Sequence, residues 1–219
     1  MTSGWLTKIR PYLWGLAVAM LLASFWGIAH APTEAQMGTV QKIIYLHVPS
    51  ATAAYTAFFV TFVASIVYLV SGKGRRWDQV AVSSCEIGMV FSAVVLVSGP
   101  LWARSAWNTW WTWEPRLTSF LIMWILYGGY FLIRSSVSPG SRRDVSAVLG
   151  VVLFVSAIVS YLSVAWWRGS LHPRSVTMTP EMRVTLTVSI FAWLAFYAAA
   201  LVERWKLELL RERVEERAR

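Results

Sequence analysis

The sequence predicts an all-α integral membrane bundle of six transmembrane helices, and three observations predict it. Apolar residues make up 57% of the 219-residue chain and charged residues 14%, against roughly 25% charged in an average soluble domain. The charges cluster and leave six long apolar runs, each near the roughly 20 residues that a bilayer core requires. Lysine and arginine also fall unevenly between the runs, as expected for a chain that crosses a membrane repeatedly.

The first run, about Tyr12–Ala29, follows Lys8 and Arg10. With Ala29-His30-Ala31 behind it, it loosely matches a cleavable leader, but it exceeds the usual apolar length of about 7–15 residues and is expected to stay as a span. The second, about Ala51–Val70, follows Pro49 and Ser50. Proline disfavours helix in the residue before it and serine suits a helix cap, so the helix is expected to start there, with His47 just ahead of it. The third, about Val80–Leu101, contains Glu86, expected near an interface, and the single cysteine Cys85, expected to pack as a small apolar residue. The fourth, about Leu117–Ile133, opens behind Glu114-Pro115; proline suits the first helical position and an acid there favours the helix dipole. The fifth is about Val145–Trp166 and the sixth about Val184–Val202. The tail Glu203–Arg219 pairs Arg204 with Glu208 and Glu215 with Arg219 at i,i+4 spacing and is expected as a solvated extension of the last helix. The runs fill more than half the chain, so residues 1–219 form one membrane domain.

Six crossings put both termini on one side. With that side cytoplasmic, fourteen Lys and Arg lie inside and six outside: Lys42, Arg104, Arg116, Arg168, Arg174 and Arg183. Basic loops stay in the cytoplasm, so this split orients the chain. The net charge of +9 is therefore a topology signal, and no nucleic-acid partner is expected. One cysteine excludes an internal disulfide and a CxxC pair, and there is no CxxCH for covalent haem. The absence of a GxxxxGK[S/T] loop excludes nucleotide hydrolysis of the Walker type.

The unusual residues gather on the outer side. Five of the fourteen tryptophans, Trp102, Trp107, Trp110, Trp111 and Trp113, fall within twelve residues of the second outer loop, taken as about residues 102–116. An interfacial anchoring belt accounts for one or two per helix end; five in one loop suggest a platform for a large planar ligand. Glu114 and Arg116 follow, and an arginine there suits an anionic group bound bidentately. His47 lies in the first outer segment with Lys42, and His172 in the third, behind Trp166 and Trp167. His30 is expected to be an ordinary interfacial residue.

Neutral imidazole ligates haem iron as well as zinc or copper. Two histidines make a poor closed zinc site, which takes four ligands, but they complete the axial coordination of haem. A porphyrin also offers a plane to the tryptophans and propionates to Arg116 and Lys42.

The segments IIYLHVPSA, WNTWWTWEPRLT and WWRGSLHP resemble the cytochrome c maturation protein C family, the haem-handling WWD-domain membrane proteins. The resemblance covers nearly the whole chain. It implies a non-covalent haem b ligated by His47 and His172, a platform of Trp102, Trp107, Trp110, Trp111 and Trp113, and basic residues Lys42 and Arg116. It implies a multi-pass protein of the bacterial inner membrane with its haem site on the periplasmic side. Such a protein presents haem to a periplasmic haem chaperone and works with ATP-binding-cassette transporter subunits and a small single-helix membrane subunit. It would bind and deliver haem without being an enzyme, with ATP hydrolysis in a partner. Two departures stand out: Glu114-Pro115 replaces the family's usual Asp-Ala, and Arg168-Gly169-Ser170-Leu171-His172 replaces an Asn-Thr-Leu-His-like stretch.

Three other readings compete. A haem-lyase-like WWD protein would carry more helices and a further membrane histidine pair. A b-type electron-transfer cytochrome would bury its histidines within the helices. A transporter with an aromatic gate would need ionisable groups at membrane depth, for which Glu86 is the main candidate.

Overall fold

The computed structural model describes residues 2–35, 37–72, 74–167, 172 and 176–217. It is helical almost throughout, and six of its helical segments are long and apolar enough to cross a membrane: Thr7–His30, Thr39–Val70, Arg75–Trp107, Pro115–Ser136, Arg142–Trp166 and Pro180–Val214. Each expected span lies inside one of them. The helices are α1 (Thr2–His30), α2 (Ile44–Val70), α3 (Arg75–Trp107), α4 (Pro115–Ser136), α5 (Arg142–Val152), α6 (Phe154–Trp166) and α7 (Pro180–Arg217).

Three boundaries differ from expectation. α2 begins at Ile44, not after Pro49, and a 3-10 turn at Thr39–Ile43 feeds directly into it. His47 is therefore in its first turn and Pro49 is helical. Pro49 is the sixth residue of the helix, just past the N–H groups that lack an intrahelical acceptor, and forfeits the bond that would reach the Tyr45 carbonyl. Ser50 does not cap the helix; its hydroxyl accepts from the Trp193 indole N–H at 3.0 Å, tying α2 to α7. At the other end of the next span, α3 continues past Pro100 as far as Trp107, so Trp102 and Trp107 are helical and the loop proper is shorter. The fifth span, expected as one helix, divides at Leu153. There the Ser156 N–H and hydroxyl both donate to the Leu153 carbonyl, at 2.9 and 2.6 Å, a 3-10-type tightening that interrupts the α ladder.

α2 is the centre of the bundle, packed on α3, α5 and α7. Small residues on it (Ala53, Ala54, Ala57 and Ala64) are buried and let the backbones approach, the usual solution where lipid removes the hydrophobic drive between helices. Phe58 stacks on Tyr127 of α4, centroids 3.8 Å apart and 14° from parallel, at the heart of one core cluster. α1 packs chiefly on α7, through Ser24–Ser189 at 2.8 Å and Arg10–Glu203 at 2.6 Å; Leu22, Phe25 and Trp26 remain exposed, as suits a surface that faces lipid.

The end of the bundle remote from the tryptophans is held by ions. Arg134 binds Asp78 through two hydrogen bonds, Arg143 reaches Asp78 and Glu212, and Arg204 pairs with Glu86 and, at 3.0 Å, with Glu208. The tail is thus no solvated extension on this face: Gln79 donates to Glu212 at 2.6 Å and accepts from the Trp205 indole at 3.2 Å. The expected Arg204–Glu208 pair is present. The Glu215–Arg219 pair lies outside the described residues. Glu86, the candidate of the transporter reading, is paired with Arg204 at this end of the bundle.

Candidate haem site

The opposite end carries the histidines and the tryptophans. His47, in the first turn of α2, has its Nδ1 2.9 Å from Ser98 Oγ of α3, and the Ser98 hydroxyl is 2.7 Å from the Val94 carbonyl of its own helix. The ring lies against Gly99, where a Cβ would stand in ordinary contact with His47 Cε1 at 3.4 Å. The groups that bear on His47 electrostatically are His172 and Arg116. So the two histidines, far apart in sequence, and the arginine of α4 share one end of the bundle. His172 is partly buried; Arg168, Gly169, Ser170, Leu171 and Arg174 around it lie outside the described residues.

The tryptophan segment begins inside α3. That helix ends on Asn108, in the left-handed region at φ 55°, which asparagine tolerates better than most residues. Arg104 fixes the turn by donating to both the carbonyl and the side-chain oxygen of Asn108 at 2.7 Å. Trp102 and Trp107 pack edge to face at 5.1 Å, and Trp111 and Trp113 at 5.9 Å. Arg104 also lies over the Trp110 ring. Trp110 and Trp113 remain 58% and 77% exposed, so most of each ring is open despite these contacts. Glu114 is buried at the head of α4 and Pro115 takes the first helical position, as the sequence predicts.

Arg116 turns toward α6. Its Nη1 donates to the Ser160 and Tyr161 carbonyls at 2.7 and 3.0 Å, and its guanidinium lies 5.7 Å from the Tyr55 centroid. Tyr55 lies eight residues beyond His47, on the same face of α2. Below it an apolar groove of about 390 Å³ runs between Tyr55, Phe59, Phe154, Ile158 and Tyr161. Lys42 is placed elsewhere: its ammonium donates to the Ile28 and Ala29 carbonyls at 2.8 and 3.3 Å, capping α1. His30 bonds the Trp26 carbonyl at 2.8 Å and lies against its ring, a local interaction at the end of α1.

Buried polar atoms here include Trp111 Nε1, Thr112 Oγ1 and Thr118 Oγ1, which have no hydrogen-bond partner among the described residues. Such atoms are uncommon and call for a ligand or water. Sequence reasoning passed over Ser98 and Gly99. The available signal was a polar Ser-Gly-Pro step interrupting an apolar run just before the tryptophans.

The sequence matches the family model described as Heme exporter protein C over residues 2–219. The chain belongs to the Heme exporter protein C family. Relatives of that name include one from Rhodobacter capsulatus, 34% identical over 97% of this chain and 90% of the relative. Another, from Paracoccus denitrificans, is 32% identical over 91% and 86%. The Escherichia coli K12 relative is 32% identical over 93% and 85%. The family match spans His47, the tryptophan segment and His172, so the clustering described above lies wholly within it.

Proposed function

We propose that this chain binds haem b at the tryptophan end and presents it for delivery during cytochrome c maturation. The observation that carries this reading is His47 in the first turn of α2, hydrogen-bonded to Ser98 of α3, the helix that leads into the exposed rings of Trp110 and Trp113, with His172 and Arg116 in electrostatic range. The two neutral imidazoles serve as axial ligands, a set that suits iron already held by four porphyrin nitrogens. Trp102, Trp107, Trp110, Trp111 and Trp113 form the platform. Arg116 keeps its other guanidinium nitrogens for a propionate after Nη1 is committed to α6. Thr112, Thr118 and the Trp111 indole supply further polar contacts, Glu114 sets the entry to α4, and Lys42 is a more distant cation that a propionate could recruit.

The family's name for its members, heme exporter, fits this reading. The charge distribution supports a cytoplasmic location for both termini and hence a periplasmic haem site on a bacterial inner-membrane protein. A periplasmic haem chaperone would receive the haem, and ATP-binding-cassette subunits would supply energy, with a small single-helix subunit alongside. His47 in the first turn of α2, rather than at mid-membrane, suits exchange better than permanent electron transfer.

The test is the absorption spectrum of purified protein loaded with haem. The wild type should show a low-spin bis-imidazole spectrum; His47→Ala and His172→Ala should each lose it, and His30→Ala should keep it. Two single mutants with the wild-type spectrum would refute the axial assignment. Challenge with a periplasmic acceptor should then remove haem; haem that stays bound and cycles with a quinol would establish the electron-transfer reading instead.

A further inference from the structure

We infer that Ser98 is a positioning residue that selects the ligating nitrogen of His47, holding the proton on Nδ1 so that Nε2 faces the iron with its lone pair. The inference rests on the reading of His47 as an axial ligand and names what makes it competent.

Neutral imidazole carries one N–H, and only the other nitrogen can ligate a metal. His47 Nδ1 is engaged with Ser98 Oγ at 2.9 Å, so Nε2 is the nitrogen left for iron. A serine hydroxyl has a single proton. At Ser98 that proton has an acceptor in the Val94 carbonyl at 2.7 Å, one turn back along α3. With the proton given to Val94, Oγ can only accept, and the donor must be His47 Nδ1–H. The chain then runs from Nδ1–H to Oγ–H to the Val94 carbonyl, each bond polarising the next. The opposite arrangement, Ser98 donating to Nδ1, would put the proton on Nε2 and exclude ligation.

A Cβ on Gly99 would stand in ordinary contact with His47, 3.4 Å from Cε1 and 3.9 Å from Nδ1, so the Nδ1–Cε1 side of the ring is turned toward α3. Partners of this kind orient metal-bound histidines and raise their basicity. Here the orienting group sits on the helix that leads into the tryptophan segment, so ligand and platform share one frame.

The experiment uses full-length protein in detergent, loaded with haem, in Ser98→Ala, Ser98→Val and Ser98→Thr variants beside His47→Ala. Valine and threonine are matched in shape, so that pair isolates the hydroxyl even if the alanine variant fails to fold. Loss of the hydroxyl should weaken haem retention about 10–100-fold. It should also raise the haem midpoint potential, because an imidazole that no longer donates from Nδ1 stabilises ferric iron less, and it should alter the low-spin electron paramagnetic resonance g-values. Threonine should restore all three. Gly99→Leu, which crowds the ring with Ser98 intact, should shift the g-values as well. Valine that matches threonine in affinity, potential and g-values overturns the proposal while leaving His47 as a ligand. If His47→Ala itself keeps the wild-type spectrum, the axial reading has failed and this inference falls with it.

Discussion

Arg134 of α4 grips Asp78 of α3 through two parallel hydrogen bonds, Nη1 to Oδ1 at 2.7 Å and Nη2 to Oδ2 at 2.8 Å. The acid is almost fully buried. Removing one partner from a buried pair strands the other charge and costs about 3–5 kcal/mol. Asp78→Ala is expected to lower the thermal unfolding midpoint of the detergent-solubilised protein sharply. Arg10→Ala, which breaks the more exposed pair with Glu203, should cost under about 1 kcal/mol. Equal losses in the two variants would show that burial is not what ranks these pairs.

Close packing at the bundle centre gives a second prediction. A Cβ on Gly88 would fall 2.8 Å from Phe58 Cε1 and 3.2 Å from Ala57 Cβ. Phe58 cannot yield easily, since Tyr127 stacks on its ring. Gly88→Ala is therefore expected to destabilise by about 1–3 kcal/mol, the range for overpacking a tight core. Adding Phe58→Leu should recover part of it. A simple sum of two losses in the double mutant would place the clash elsewhere.

The orientation can be read with reporter fusions. Fusions after Arg76, Arg143 and Arg219 should report the cytoplasm, and those after Lys42, Arg104 and Arg174 the periplasm. A periplasmic reading after Arg219 would reject an even number of crossings.

Among the tryptophans, exposure separates two classes. Trp110→Ala and Trp113→Ala should lower haem occupancy partly and shift the unfolding midpoint of haem-free protein only slightly, because each ring is mostly exposed and touches Arg104 or Trp111 on one side alone. Stacking is worth about 0.5–1.5 kcal/mol per ring beyond area burial, so neither alone should abolish binding. Replacing both with Trp111 should abolish it. Full occupancy in the triple mutant, measured by pyridine haemochrome, would rule out the platform.

How much of this was legible beforehand follows from what each feature depends on. The six spans depend on local apolarity, which the chain displays openly, and all six are present. The start of α2 lies ahead of Pro49 because the 3-10 turn at Thr39–Ile43 leads the chain into helix from Ile44, and a proline near a helix start costs a bond without ending the helix. The division at Leu153 rests on how one serine hydroxyl is spent, which apolar periodicity does not register. The histidines and tryptophans announced themselves by composition and by their common side of the membrane. Ser98 did not, because its importance lies in a contact with a residue 51 positions away. The same holds for Asp78 and Glu86, whose partners are supplied by α4 and α7.

Lys42 has a consequence for how the site is charged. The C-terminus of a helix carries roughly half a negative elementary charge, and at the end of α1 that partial charge meets the ammonium of Lys42 through two carbonyls. A propionate that recruited this lysine would compete with the helix for the same N–H donors. Lys42 is therefore a counter-ion already in service, and its replacement by methionine should fray α1 in protein that has never met haem. Arg116, which can satisfy α6 with one nitrogen and still offer another edge, escapes that competition.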